Sequence, residues 1–255
     1  MNKNTLMKVI GYPATVLHGD PAVFDRYIWL KRNLKRGLFR TLDAGCGSGA
    51  FTMYAAKIGN EAVGISFDAR NNEVARERVE ILKLKNVKFI QGDLRKLDEF
   101  SNSIDLFDQI ICFETIEHIM DDRKLLKDFF TLLNLGGKLF LTAPYKYYNK
   151  HFLGDDKIQL SVYEDGGHVR WGYTHKEISE LLKKAGFSIE KNEYVSGIIS
   201  QFLIRLGRTI GLATDFRLAW ALIFPLRIFV IFDKFLTRLF HYPYLSIAII
   251  AKKEK

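Results

Sequence analysis

Apolar and β-branched residues recur in short runs at 40–43, 61–67, 87–91, 109–113, 138–143, 187–195 and 244–251, most of them flanked by glycine or polar turn residues. Runs of that length predict strands. Between them, apolar residues return at helical spacing over 50–58, 69–84, 125–133 and 174–185. Local signals mark the ends. Asp20 followed by Pro21 is an N-cap with proline at the first helical position, opening a helix through Phe24, Tyr27, Ile28 and Leu34 that Gly37 closes. Asp68 caps the helix over 69–84, and Gly136 and Gly137 close the one over 125–133. Thr174 with Glu177 forms a capping box whose helix stops at Gly186. Strands alternating with helices, without internal repeats, predict a parallel sheet with crossover helices on both faces.

Two stretches break the alternation. Residues 145–173 hold Tyr145, Tyr147, Tyr148, Tyr163, Trp171 and Tyr173 among glycines, with no clean period, and predict a lid. Its flat amphipathic rings suit an aromatic or lipid-like acceptor, and equally suit packing of the lid onto the sheet. Residues 197–243 are a basic, apolar insertion that a plain sheet does not require. Gln201, Arg205 and Arg208 share one helical face there, and Arg227, Lys234 and Arg238 share another. Such a pair reads as an interfacial membrane element or the wall of an apolar pocket, and alternatively as a helical layer or a dimer interface. With a cap helix in 1–37, these pieces frame a single domain over 1–255.

Charge sharpens the reading of the insertion. The chain's 255 residues carry 38 Lys and Arg against 29 Asp and Glu, a net of +9. Residues 201–255 hold nine basic and three acidic residues, so +6 of the +9 sits in the most apolar quarter, a pattern that suits anionic lipid. The run 218–232 is interrupted by Pro225 and Arg227 and falls short of the roughly 20 residues of a spanning helix, so no span is expected. The N-terminal residues show no apolar signal-peptide core. Cys46 and Cys112 form no CxxC or Cys/His cluster, which points to a reducing compartment and no structural zinc. The expected location is cytoplasmic, or peripheral on the inner face of the membrane.

The most informative segment is Thr41-Leu42-Asp43-Ala44-Gly45-Cys46-Gly47-Ser48-Gly49, a strand that ends in a carboxylate and enters alternate glycines. Glycine lets the backbone approach a ligand at the C-terminal edge of an open α/β sheet. A tight strand-to-helix turn uses the same residues, and Gly45, Gly47 and Ala50 also satisfy the loose GxGxxA dinucleotide pattern. Asp43 breaks the tie. A carboxylate beside the turn repels a pyrophosphate and suits a ligand carrying an amine and a sulfonium.

With an acidic residue followed by xGxGxG, the chain resembles the class I S-adenosylmethionine-dependent methyltransferases, in their small-molecule and lipid branch, over residues 37–195 and the last strand. Gln91-Gly92-Asp93-Leu94 resembles the family's adenine-binding turn, Phe113-Glu114-Thr115-Ile116-Glu117-His118-Ile119 its segment after the fourth strand, and Leu135-Gly136-Gly137-Lys138-Leu139 its LxPGG turn. The resemblance implies an α/β, Rossmann-like, doubly wound, seven-stranded and mostly parallel sheet with a helical cap. It implies S-adenosyl-L-methionine as cofactor and S-adenosyl-L-homocysteine as product. Asp43, Gly45, Cys46, Gly47, Gly49, Asp93, Leu94, Phe113 and His118 then belong to the cofactor site. One position departs from the pattern: Ser66 stands where the family usually has the acid that holds the ribose. The run 66–71 is similar to the TLSxxQ variant of the cyclopropane fatty-acid synthases, which gives Asn71 the ribose and Phe67 the adenine beside Ser66. In the other register Asp68 takes the ribose.

Methyl transfer is an in-line displacement that needs alignment and exclusion of water, with no nucleophile from the enzyme. An alcohol acceptor also needs a general base. His118 and His168 are the two candidates, each with a structural hydrogen bond as the alternative role, and Arg170 either neutralises an acidic substrate group or forms a salt bridge. No metal ligands are read. The expected reaction is methyl transfer to an oxygen of a small or lipid-like molecule, with carbon or nitrogen transfer, or a non-catalytic cofactor-binding scaffold, as alternatives. Beyond that acceptor, the expected partners are an anionic membrane met through 201–240 and a second copy of the chain. A nucleic-acid substrate is disfavoured because no NPPY-type motif stands at Phe113-Glu114-Thr115-Ile116 and the basic charge lies on apolar helices. A nicotinamide oxidoreductase is disfavoured by Asp43.

Overall fold

The computed structural model describes residues 3–100 and 105–254. Seven strands, β1 (Arg40–Ala44), β2 (Glu61–Ser66), β3 (Val87–Gln91), β4 (Phe107–Phe113), β5 (Leu133–Pro144), β6 (Phe187–Val195) and β7 (Ser246–Lys253), form one sheet in the order β3-β2-β1-β4-β5-β7-β6. The first five pair in parallel, and β7 runs antiparallel between β5 and β6. The expected mostly parallel, doubly wound sheet is what the chain forms. Strand order reverses between β1 and β4, and such a switch point opens a crevice at the carboxyl ends of those strands.

Helices α1 (Lys3–Ile10), α2 (Pro13–Leu17), α3 (Pro21–Asn33), α4 (Ala50–Lys57), α5 (Ala69–Leu82), α6 (Leu97–Phe100), α7 (Asp122–Leu132), α8 (Lys150–Leu153) and α9 (His175–Lys184) precede β6. Alternating strand residues serve the two faces. Ile110 and Cys112 of β4 pack with Phe129 and Ile178 of α7 and α9, whereas Ile111 and Phe113 pack with Trp29 and Met53 of α3 and α4. The caps are as read: Asp20 accepts from the Ala22 amide, Asp68 from the Arg70 amide, and Thr174 and Glu177 exchange both bonds of a capping box. One boundary differs from expectation. The helix before β5 ends at Leu132, ahead of the two glycines, because Leu133 is already extended and pairs with Phe107; Gly136, at φ +77°, lies inside the strand's irregular start.

Between β6 and β7 the insertion folds as α10 (Ile198–Ala213), α11 (Phe216–Ile223), a 3-10 stretch (Phe224–Phe232) and α12 (Asp233–Leu239). Its anchor is polar. The buried Asp233 carboxylate accepts from the amides of Gly197 and Ile199, each at 2.7 Å, and from the Ser200 hydroxyl at 3.1 Å, so α12 supplies the cap that α10 lacks from its own sequence. Arg227 departs from the predicted basic face shared with Lys234 and Arg238. It is buried and donates to the carbonyls of Val16 and Gly19, because the last turn of α2 and the link to α3 lie beside it, where helix-end carbonyls lack intrahelical partners. Replacing Asp233 with alanine strands the α10 amides in the interior, and urea unfolding should show a loss of about 3 kcal/mol, with Asp233→Asn keeping part of it.

Candidate active site

Asp43, the fourth residue of β1, is 2% exposed, and its carboxylate accepts from the Thr52 hydroxyl of α4 at 2.6 Å. Burial raises its pKa from 3.8 to about 6. Beyond it the chain turns sharply: the amides of Gly45 and Cys46 both donate to the Ile65 carbonyl of β2, at 3.0 and 2.9 Å. Gly45 (φ +81°) lies under the Thr115 side chain, which a Cβ there would strike. Gly47 (φ +49°) meets nothing within 4 Å, so the turn leaves open space that a ligand can fill. Gly49 caps α4 over the Phe89 ring. Arg78 of α5, absent from the sequence reading, holds Ser48 through its hydroxyl at 2.6 Å and its carbonyl at 3.1 Å. A buried carboxylate, open glycine backbone and a fixed turn fit a ligand with a cationic amine beside a sulfonium.

At the carboxyl end of β2, Ser66 is buried and its carbonyl accepts from the Asn72 side chain at 3.1 Å. Asn71 is its half-buried neighbour in the first turn of α5, Phe67 is 70% exposed, and Asp68 is spent on the helix cap. After β3, Asp93 takes the Arg95 amide at 3.0 Å and the Arg95 guanidinium at 2.6 to 2.9 Å, which hold its carboxyl below the usual range. Arg95 also meets Glu164 of the lid at 3.4 Å and lies 5.9 Å from the Phe67 ring centre. The rim of this slot is therefore tied to the lid. Leu94 is buried beneath it.

The segment after β4 brings the remaining candidates together. The Phe113 ring points into the core, 4.8 Å from Phe51 and 5.9 Å from Trp29. Glu114 is forced to φ +46°, unusual for a side chain with a Cβ, and the chain then makes a 3-10 turn at Ile116–His118. His118 Nδ1 faces the Gly167 carbonyl at 3.0 Å, so that nitrogen carries the proton and Nε2 faces Glu117 Oε1 at 3.9 Å. His168 sets its ring edge-to-face on His118 with centres 4.6 Å apart, and burial followed by the His118 charge lowers its pKa. The lid is clamped here: the Val169 amide donates to the Glu117 carbonyl at 3.0 Å, and Arg170 donates to the carbonyls of Ile116, Ile119 and Met120. Arg170 also pairs with Asp122 at 2.9 Å, which makes it a structural clasp.

Sequence reasoning missed Glu117. It is fully buried, neither carboxylate oxygen has a hydrogen-bond partner, and burial reinforced by Glu114 raises its pKa well above the ordinary carboxylate range. Ligand atoms of Glu117, His118 and His168 lie within 4.8 Å of one another, a donor set of carboxylate and two imidazoles that can hold a divalent cation. The available signal was the spacing Glu114-x-x-Glu117-His118. The lid tyrosines divide: Tyr148 and Tyr173 are buried and pack the loop down, while Tyr147 and Tyr163 are exposed.

A family profile for a methyltransferase domain matches residues 36–186, more than half the chain. The chain belongs to the methyltransferase domain family. A ubiquinone biosynthesis O-methyltransferase of Coxiella burnetii (strain Dugway 5J108-111) is 32% identical over 152 residues, 58% of this chain. The aligned part spans 63% of that relative's length. A structure of an S-adenosylmethionine-dependent methyltransferase from Mesorhizobium loti superposes with a TM-score of 0.58 at 16% identity, covering 92% of this chain and 99% of that one. The [4+2]-cyclase SpnF superposes at 0.57 with 18% identity over 89% of this chain and 79% of its own, so the fold by itself does not name the reaction.

The pKa of Asp43 gives this methyltransferase-family domain a pH signature. An ammonium group binds the ionised form, so S-adenosylhomocysteine affinity measured by calorimetry should fall as pH drops through about 6. In the free protein the sign is opposite: the folded state holds the proton more tightly, so Asp43 subtracts stability as pH rises from 3.8 to about 6. Asp43→Asn should therefore unfold at higher urea than wild type at pH 8, by about 1 to 3 kcal/mol, while losing cofactor affinity.

Proposed function

We propose that the chain transfers the methyl group of S-adenosylmethionine to an oxygen of a small, amphiphilic molecule held between the glycine turn and the lid. When bound, the cofactor supplies an electrophilic methyl on a sulfonium. The chain's residues do the rest. Asp43 and the turn at Gly45 and Gly47 receive the cationic end, and Ser66, Phe67 and Asn71 face the ribose and adenine slot that Asp93 and Leu94 close. Thr115 over Gly45 sets the segment carrying His118 directly against the cofactor turn. The lid lays His168 on His118, where an imidazole can take the acceptor's hydroxyl proton as the methyl moves.

The observation that carries this reading is that packing of the two histidines, contributed by elements 50 residues apart in sequence and held by the Val169 and Arg170 bonds. Oxygen as the acceptor atom draws support from the relative's name. His168→Ala should lower kcat on phenolic or alcoholic acceptors by about 10² to 10⁴ while leaving S-adenosylhomocysteine binding unchanged; an unaltered kcat would remove His168 from the chemistry.

The unpaired Glu117 carboxylate supports a second reading, in which Glu117, His118 and His168 hold a divalent cation that polarises the acceptor oxygen. Chelation separates the two. If the cation is used, a chelator should abolish turnover, Mg²⁺ or Zn²⁺ should restore it, and Glu117→Gln should lose the response. Turnover indifferent to chelator leaves the imidazole as the base.

A further inference from the structure

Residues 223–240 are amphipathic in the sense opposite to that of a water-facing helix. Their inward positions are Ile223, Arg227, Asp233 and Thr237, mostly polar and all buried. These polar side chains are held inside: the terminal nitrogens of Arg227 on the carbonyls of Gly19 and Val16, with its guanidinium over the Phe24 ring, and Asp233 and Thr237 on the amides that begin α10. The outward positions are apolar. Phe224, Ile228, Phe229, Ile231, Phe235 and Phe240 are 45 to 74% exposed. Among the described residues, the segment 202–240 holds more than half of all exposed large apolar side chains. Water-facing surfaces of monomers rarely gather apolar side chains this way.

The charges around this patch decide what covers it. Arg205, Arg217, Lys234 and Arg238 are exposed, whereas the one exposed carboxylate of the segment, Asp215, is spent on the cap of α11. A second copy would bring like charges together. An apolar face with a basic rim matches the interfacial zone of an anionic bilayer, where rings and aliphatic chains enter the acyl boundary and lysine and arginine meet phosphate. No helix of the described residues is long and apolar enough to cross a membrane.

We infer that residues 202–240 form a docking surface for the anionic face of a lipid bilayer. The surface is joined to the lid: Arg208 of α10 donates to the Leu153 carbonyl at 3.1 Å and pairs with Asp155 at 2.8 Å, the carboxylate that also accepts from the Tyr148 hydroxyl. Docking stands independently of which molecule accepts the methyl group.

The test is co-sedimentation of the full chain with vesicles of phosphatidylcholine alone and of phosphatidylcholine with phosphatidylglycerol, with S-adenosylhomocysteine binding measured in parallel to report an intact fold. Retention on the anionic vesicles should exceed that on neutral ones by about tenfold at low salt. It should fall by about tenfold in Phe229→Glu/Phe235→Glu and again in Lys234→Glu/Arg238→Glu, with cofactor binding unchanged in both. Absence of retention, equal retention on the two vesicles, or retention undiminished in either variant overturns the inference. So does a stable dimer in dilute solution that Phe229→Glu/Phe235→Glu dissolves, which would give the face to a second copy.

Discussion

A carboxylate placed where water hardly reaches is the constraint around which the molecule is arranged. Among the described residues Asp43 takes its hydrogen bonds from Thr52 and is paired with no cation, so its charge is costly until something positive arrives. The surroundings keep that place available. The two amide hydrogen bonds to the Ile65 carbonyl bend the turn away, Arg78 pins Ser48, and Thr115 fills the space above Gly45 while the space at Gly47 stays open. Because β1 and β4 flank the switch point, the same crevice receives the segment from Phe113 to Ile119 and, through it, the lid.

Much of this was legible in the sequence because local chemistry and tertiary role coincide. Asp20-Pro21, Asp68 and Thr174-Glu177 are caps in both readings, since a cap depends only on its own turn. The glycine turn after Asp43 was readable for the same reason. What depends on distant contacts was not. Arg227 looked like a surface charge until the N-terminal helices ended beside it, and Arg170 stood between substrate ligand and salt bridge until its guanidinium met Asp122 and the carbonyls after β4. Glu117 is invisible as a buried group in one dimension, because burial comes from the lid closing over a turn 50 residues earlier.

The insertion between β6 and β7 shows the same principle inverted. Its composition announced an apolar, basic element, yet only the fold shows which side is which: Arg227, Asp233 and Thr237 inside, phenylalanine and isoleucine outside. A helical layer stabilised by its own apolar burial would have the reverse pattern. Here polar anchors hold the element in place and leave its apolar face outward.

The most direct test of the account is a calorimetric titration of the purified chain with S-adenosylhomocysteine and, separately, with NADH at pH 8. The account predicts saturable, one-to-one binding of S-adenosylhomocysteine at micromolar affinity and no heat from the dinucleotide, whose pyrophosphate Asp43 repels. A folded protein that ignores S-adenosylhomocysteine, or that prefers NADH, would contradict it.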